Sequence, residues 1–101
     1  MNHHGIDLSG REVEELCRRN HIRKLSLFGS VLRDDFKPAS DVDVLVEFES
    51  GHSMGFLGLA RLERELSALV GQKIDLRTAG ELSRYFRDQV VKSAEVQYVA
   101  G

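Results

Sequence analysis

Two carboxylates with one residue between them, Asp41 and Asp43, follow the dipeptide Gly29-Ser30 after ten intervening residues, and each half of that combination suits one part of a nucleoside triphosphate. Magnesium takes oxygen ligands and is usually held by one or two carboxylates together with substrate phosphates. A glycine lets the backbone approach a ligand without a Cβ in the way, and a serine opening a helical turn offers its hydroxyl and free N–H groups to phosphate oxygens. At average residue frequencies this spacing arises by chance in about one chain in a thousand of this length. The chemistry expected is nucleotide transfer, with Asp41 and Asp43 on Mg2+ and Gly29 and Ser30 on the phosphates. Two ions about 4 Å apart clamp the attacking and leaving oxygens of an in-line displacement, and that arrangement calls for a third acid on a neighbouring strand. Asp75, between Ile74 and Leu76, is the best candidate, against the alternative of an acid that merely faces water. Arg33, one turn beyond Ser30, suits either the leaving phosphate or solvent.

The surrounding elements must present these side chains together. In a strand, side chains two apart share a face, so the run from Ser40 to Phe48 sets Asp41 and Asp43 on one side and Val42, Val44, Val46 and Phe48 on the other. Upstream, Ser9 and Glu12 read as a capping box with Leu8 and Val13 as its hydrophobic staple, opening a helix that runs to about Asn20. Ile22 to Phe28 reads as a strand with Leu25 and Leu27 on one face, delivering the chain to Gly29 and a short helical turn to about Asp35. Pro38 bars continuation of that turn. Phe56, Leu59, Leu62, Leu66 and Leu69 recur at helical spacing until Gly71, and form a core-facing stripe. Lys73 to Leu76 is a short strand, Leu82 through Phe86 and Val90 a last helix, and Glu95 to Val99 an edge strand. Helices and strands in this order describe one α/β layer structure over residues 1–101.

Composition narrows the function. The 101 residues suffice for one core and are too few for two. Fourteen Lys and Arg against sixteen Asp and Glu, a formal charge of -2, do not make the positive field that backbone-driven nucleic-acid binding needs, so direct nucleic-acid binding is not expected. No apolar run reaches membrane-span length and the first residues lack a signal-peptide pattern, which predicts a cytoplasmic location. Cys17, at helical spacing from Val13, is expected to be a reduced core residue. His21 is read as a solvated loop residue, His3 and His4 as solvated near a frayed end, and no Cys/His zinc spacing occurs.

Over almost its whole length the sequence resembles the nucleotidyltransferase superfamily of DNA polymerase beta, and within it the minimal nucleotidyltransferases (MNT) that act as antitoxins beside HEPN-domain toxins. The resemblance is carried by Leu27-Phe28-Gly29-Ser30-Val31, Arg33, Pro38, Ser40-Asp41-Val42-Asp43, Leu45-Val46-Glu47-Phe48, Leu66 through Gly71, Ile74-Asp75-Leu76 and Tyr85-Phe86-Arg87. It implies the nucleotidyltransferase fold, a small mixed sheet packed against helices. It also implies Mg2+ on Asp41, Asp43 and Asp75, triphosphate at Gly29 and Ser30, and transfer of AMP from ATP to a tyrosine of the toxin. One departure is Asp34, where the family usually has glycine; it adds negative charge beside the phosphate site. Larger relatives carry a helical domain for the acceptor, so here a partner protein is expected to complete that site. Two alternatives stand beside protein adenylylation: an antitoxin that neutralises by binding alone, and a transferase acting on a small molecule.

Overall fold

Val13, Leu16 and Cys17 fall on one side of a helix, and α1 (Arg11–Arg19) turns all three into the interior. The structure is a computed structural model that describes residues 6–32, 40–82 and 87–100. Four strands follow the alternation of the sequence: β1 (Ile22–Phe28), β2 (Val42–Phe48), β3 (Ile74–Thr78) and β4 (Glu95–Val99). Their order is β3-β2-β1-β4. β1 runs antiparallel to both β2 and β4, whereas β2 and β3 are parallel. A parallel pair needs a long crossover, and α2 (Phe56–Val70) supplies it. A third helix, α3 (Arg87–Ser93), precedes β4. The expected mixed sheet packed against helices is thus observed.

The core lies on one face of the sheet. Leu25 and Leu27 of β1, Val42, Val44 and Val46 of β2, and Ile74 and Leu76 of β3 are buried there with Val13, Leu16 and Cys17 of α1 and Leu62 and Leu66 of α2. The expected leucine stripe of α2 is buried only at its centre, at Leu62 and Leu66: Phe56 is 84% and Leu69 40% exposed, while Leu59 and Val70 pack against the core from the flanks. Gly71 ends α2 in the left-handed region at φ +77°, as its position in the sequence indicates, and its N–H donates to the Ser67 carbonyl.

The capping box is not formed. Gly10 is the cap residue of α1 and no side chain caps it. Ser9 turns instead to Asp7, whose carboxylate accepts from both the Ser9 N–H and its hydroxyl. A short acid two residues back offers a local partner that competes with the helix end. The same two hydrogen bonds hold the Asp7 carboxyl below its ordinary pKa. Leu8 and Val13 are nevertheless both in the core.

β3 is an edge strand, and two of its outward N–H groups are satisfied by α2. Leu76 N–H donates to Glu63 Oε2 at 2.7 Å and Ile74 N–H to Ser67 Oγ at 3.0 Å. These bonds close the edge to stray strands and fix β3 in the register that places Asp75.

Candidate active site

β1 hands the chain to a single 3-10 turn, Gly29–Leu32. Val31 is fully buried and anchors this turn to the core, while Gly29 stays exposed at φ +75°. A Cβ built on Gly29 would stand 2.4 Å from Asp43 Oδ2 and 3.3 Å from Asp43 Cγ. The turn's backbone therefore lies directly against the Asp43 carboxylate. This closeness follows from the antiparallel pairing, in which Phe28 opposes Asp43. Only glycine suits the position, both for its backbone angle and for the space.

Asp43 is the second residue of β2 and Asp75 the second of β3, and the parallel register makes them direct neighbours. Adjacent strands lie about 4.8 Å apart, so the two carboxylates emerge side by side on the face away from the core. Asp41 precedes β2 and shares that face by alternation. The Val42 N–H donates to the Lys73 carbonyl at 2.9 Å, which ties the start of β2 to the approach to β3. Asp43 and Asp75 are thus neighbours by register, with Asp43 against Gly29 and Asp41 two residues before it, but the ligand atoms of the three acids are not gathered within 4.8 Å of one another. That face is not open along its whole length: Ser26 and Leu45, further along, are each 1% exposed.

Two cations that the motif reading did not single out attend the acids. Arg77 approaches Asp75 with Nε 3.1 Å from Oδ1 and Nη2 3.3 Å from Oδ2, a forked contact. Lys73 Nζ lies 3.8 Å from Asp41 Oδ2. Each is two residues from Asp75, and for Arg77 that spacing on a strand was the signal, since it shares Asp75's face. Lys73 pairs across to the neighbouring strand's acid, which spacing alone does not indicate. Ser30 is the second residue of the turn. Arg33, Asp34 and Pro38, the loop at 36–39, and Tyr85 and Phe86 lie outside the described residues, as do His3 and His4.

A hard-oxygen donor set of adjacent carboxylates, beside a backbone turn that admits no side chain, fits a divalent cation carrying phosphates. Residues 11–98 match the family described as the nucleotidyltransferase domain, and the chain belongs to it. A protein adenylyltransferase, MntA, of Thermococcus cleftensis is 38% identical over 86 residues, 85% of this chain and 83% of the relative. A solved structure described as a minimal nucleotidyltransferase is 36% identical, with a TM-score of 0.66 over 82% of this chain and 83% of its own. The fold is shared with a toxin-antitoxin structure containing AMP-PNP, at 21% identity and a TM-score of 0.70 over 88% of this chain and 72% of the other. It is shared too with a tri-AMPylated Shewanella oneidensis HEPN toxin in complex with its MNT antitoxin, at 21% identity and a TM-score of 0.64 over 92% and 71% of the two chains.

Proposed function

We propose that this chain, as a single minimal nucleotidyltransferase domain over residues 1–101, is a cytoplasmic antitoxin that transfers AMP from ATP to a tyrosine of a HEPN-domain toxin. The observation that carries this reading is the side-by-side placement of Asp43 and Asp75 against the Gly29 backbone. The likeness to an adenylyltransferase and to toxin-bound antitoxins supports the acceptor class. Mg2+ held by Asp41, Asp43 and Asp75 would neutralise the triphosphate and align it for displacement at the α-phosphorus. The backbone at Gly29 and Ser30 binds the phosphate tail, and Arg33, by its place in the family motif, is assigned to the charge of the leaving phosphates. Asp75 receives the proton of the tyrosine hydroxyl, whose ordinary pKa near 10 makes it a weak nucleophile at neutral pH. The hydroxyl oxygen bonds to the α-phosphorus as the bond to pyrophosphate breaks. Arg77 and Lys73 hold the acids before the substrate arrives, and release them to it.

The test is to incubate the protein with Mg2+, ATP and the product of the neighbouring gene, then weigh that partner by intact mass spectrometry. AMP should be added by the wild type and not by Asp43→Asn, and Asp75→Asn should be slower by about 10²- to 10⁴-fold. A tight neutralising complex of unchanged mass would overturn the enzymatic reading in favour of binding alone, and AMP attached to a small molecule instead of the partner would overturn the acceptor.

A further inference from the structure

We propose a second, transition-metal site at the opposite end of the sheet, formed by His21, Glu49 and His52. One ligand atom of each lies within 4.8 Å of the others. His21 sits between α1 and β1, Glu49 follows β2, and His52 lies in the loop leading to α2. β1 spans seven residues between this cluster and the Gly29 turn. At roughly 3.3 Å per residue the two sites are some 20 Å apart, so an ion here is not the ion of the transfer reaction.

The backbone holds the three residues together independently of their side chains. The Glu49 N–H donates to the His21 carbonyl at 2.8 Å and the His52 N–H to the Glu49 carbonyl at 2.9 Å. Gly51, at φ +81°, makes the tight return from Glu49 to His52. His21 itself is held at φ +56°, and among the described residues it is the one non-glycine with positive φ. Glycine or asparagine is the usual occupant of such a position after a helix. Histidine is among the residues that enter this region more readily than most, so His21 can hold the turn and offer its ring at once.

The side chains also lie within reach of one another, though not yet in a coordinating pose. His21 Nδ1 is 3.8 Å from Glu49 Oε1, and the rings of His21 and His52 stack with centroids 3.9 Å apart and planes 12° from parallel. Two imidazoles and a carboxylate are a donor set for Zn2+, Ni2+ or Cu2+ rather than for Mg2+. Three protein ligands also leave a tetrahedral ion one open position, for water or a partner's side chain. Zinc bonds of about 2.0–2.2 Å bring ligand atoms to roughly 3.3 Å from one another, so the rings must turn out of their stack when the ion enters. The side chains of His21 and Glu49 are 53% and 45% exposed, which leaves room for that rotation. Bound there, the ion ties the end of α1 to the loop before α2.

The full-length chain, free of any purification tag, is titrated with Zn2+ against a chromophoric chelator, and its histidine ring resonances are followed by NMR. Expected are shifts of the His21 and His52 ring signals with loss of their mutual ring-current effect, and affinity at least tenfold weaker in His52→Ala and in His21→Asn. The asparagine tolerates the left-handed backbone, so that variant removes the ligand without disturbing the turn. Replacing His3 and His4 together, or Asp43→Asn, should leave this binding event in place. Unchanged affinity in both ring variants, or ring signals of His21 and His52 that do not move with Zn2+, would overturn the proposal.

Discussion

Gly29 is where one missing side chain decides the geometry of another. Alanine there would adopt a left-handed backbone at a cost of ~1–2 kcal/mol, and its Cβ would meet Asp43 Oδ2. The carboxylate is the end of a flexible side chain, so it would swing aside rather than unfold the turn. Gly29→Ala is therefore expected to lower stability modestly in urea melts while reducing transfer by about 100-fold or more, since a displacement of about 1 Å suffices for that. Equal losses of stability and activity would contradict this assignment of the effect to Asp43. Arg77 acts in the other direction. Its pair with Asp75 is partly exposed on both sides, and such pairs are worth at most about 1 kcal/mol. Removing the competitor in Arg77→Ala should thus lower the Mg2+ concentration for half-maximal transfer, by up to about fivefold; an unchanged Mg2+ titration would show that the pair opens without cost.

At the scale of elements, Asp75 is only as well placed as β3, and β3 depends on side chains of α2 for its outer edge. Glu63→Ala removes the acceptor of the Leu76 N–H, and leaving such a donor unpaired costs ~1–3 kcal/mol. Exchange of the Leu76 amide with deuterium should quicken by about 10- to 100-fold with the rest of the sheet unaffected, and transfer should fall because the strand carrying Asp75 loosens. Glu63→Gln keeps an acceptor oxygen and should restore both. Exchange equal to wild type in the alanine variant would mean that water replaces the carboxylate.

For the whole molecule, the core sets the response to alkali. Burial, aided by the charge of Glu14, pushes the Cys17 thiol from 9.0 up to about 12, and burial raises Tyr98 also. Both groups hold their protons longer in the folded chain than in the unfolded one. The folded state then binds more protons wherever the two differ, so stability falls as pH rises. For Cys17 its contribution is complete below pH 9.0 and is lost progressively toward about 12. Unfolding free energies across that interval should slope downward, and the slope should be shallower in Cys17→Ala. The native thiol should also resist alkylation at neutral pH, since the reactive form is the thiolate. Rapid labelling of folded protein would contradict its burial. Among the described residues no helix is long and apolar enough to cross a membrane.

Much of this was legible in the chain itself, because it rests on interactions a few residues long. Alternation in β2 assigns Asp41 and Asp43 to the face opposite Val42 and Val44, helical spacing marks α1 and α2, and Gly71 and Gly29 stand where positive backbone angles favour glycine. The acidic face, the turn and even the short β4 follow from such local rules. Ser9 shows their margin: two nearby acids offered it partners, and Asp7 rather than the helix end obtained it. Other features were decided only by tertiary structure. Alternation shows which way Asp75 points, but the parallel register that sets it opposite Asp43 depends on a crossover through α2 and on Glu63 and Ser67 holding the edge. The pairing of Lys73 with Asp41 and the meeting of His21 with Glu49 and His52 likewise join residues far apart in the chain. Sheet register and loop closure bring them together, and neither is encoded in any one short stretch of sequence.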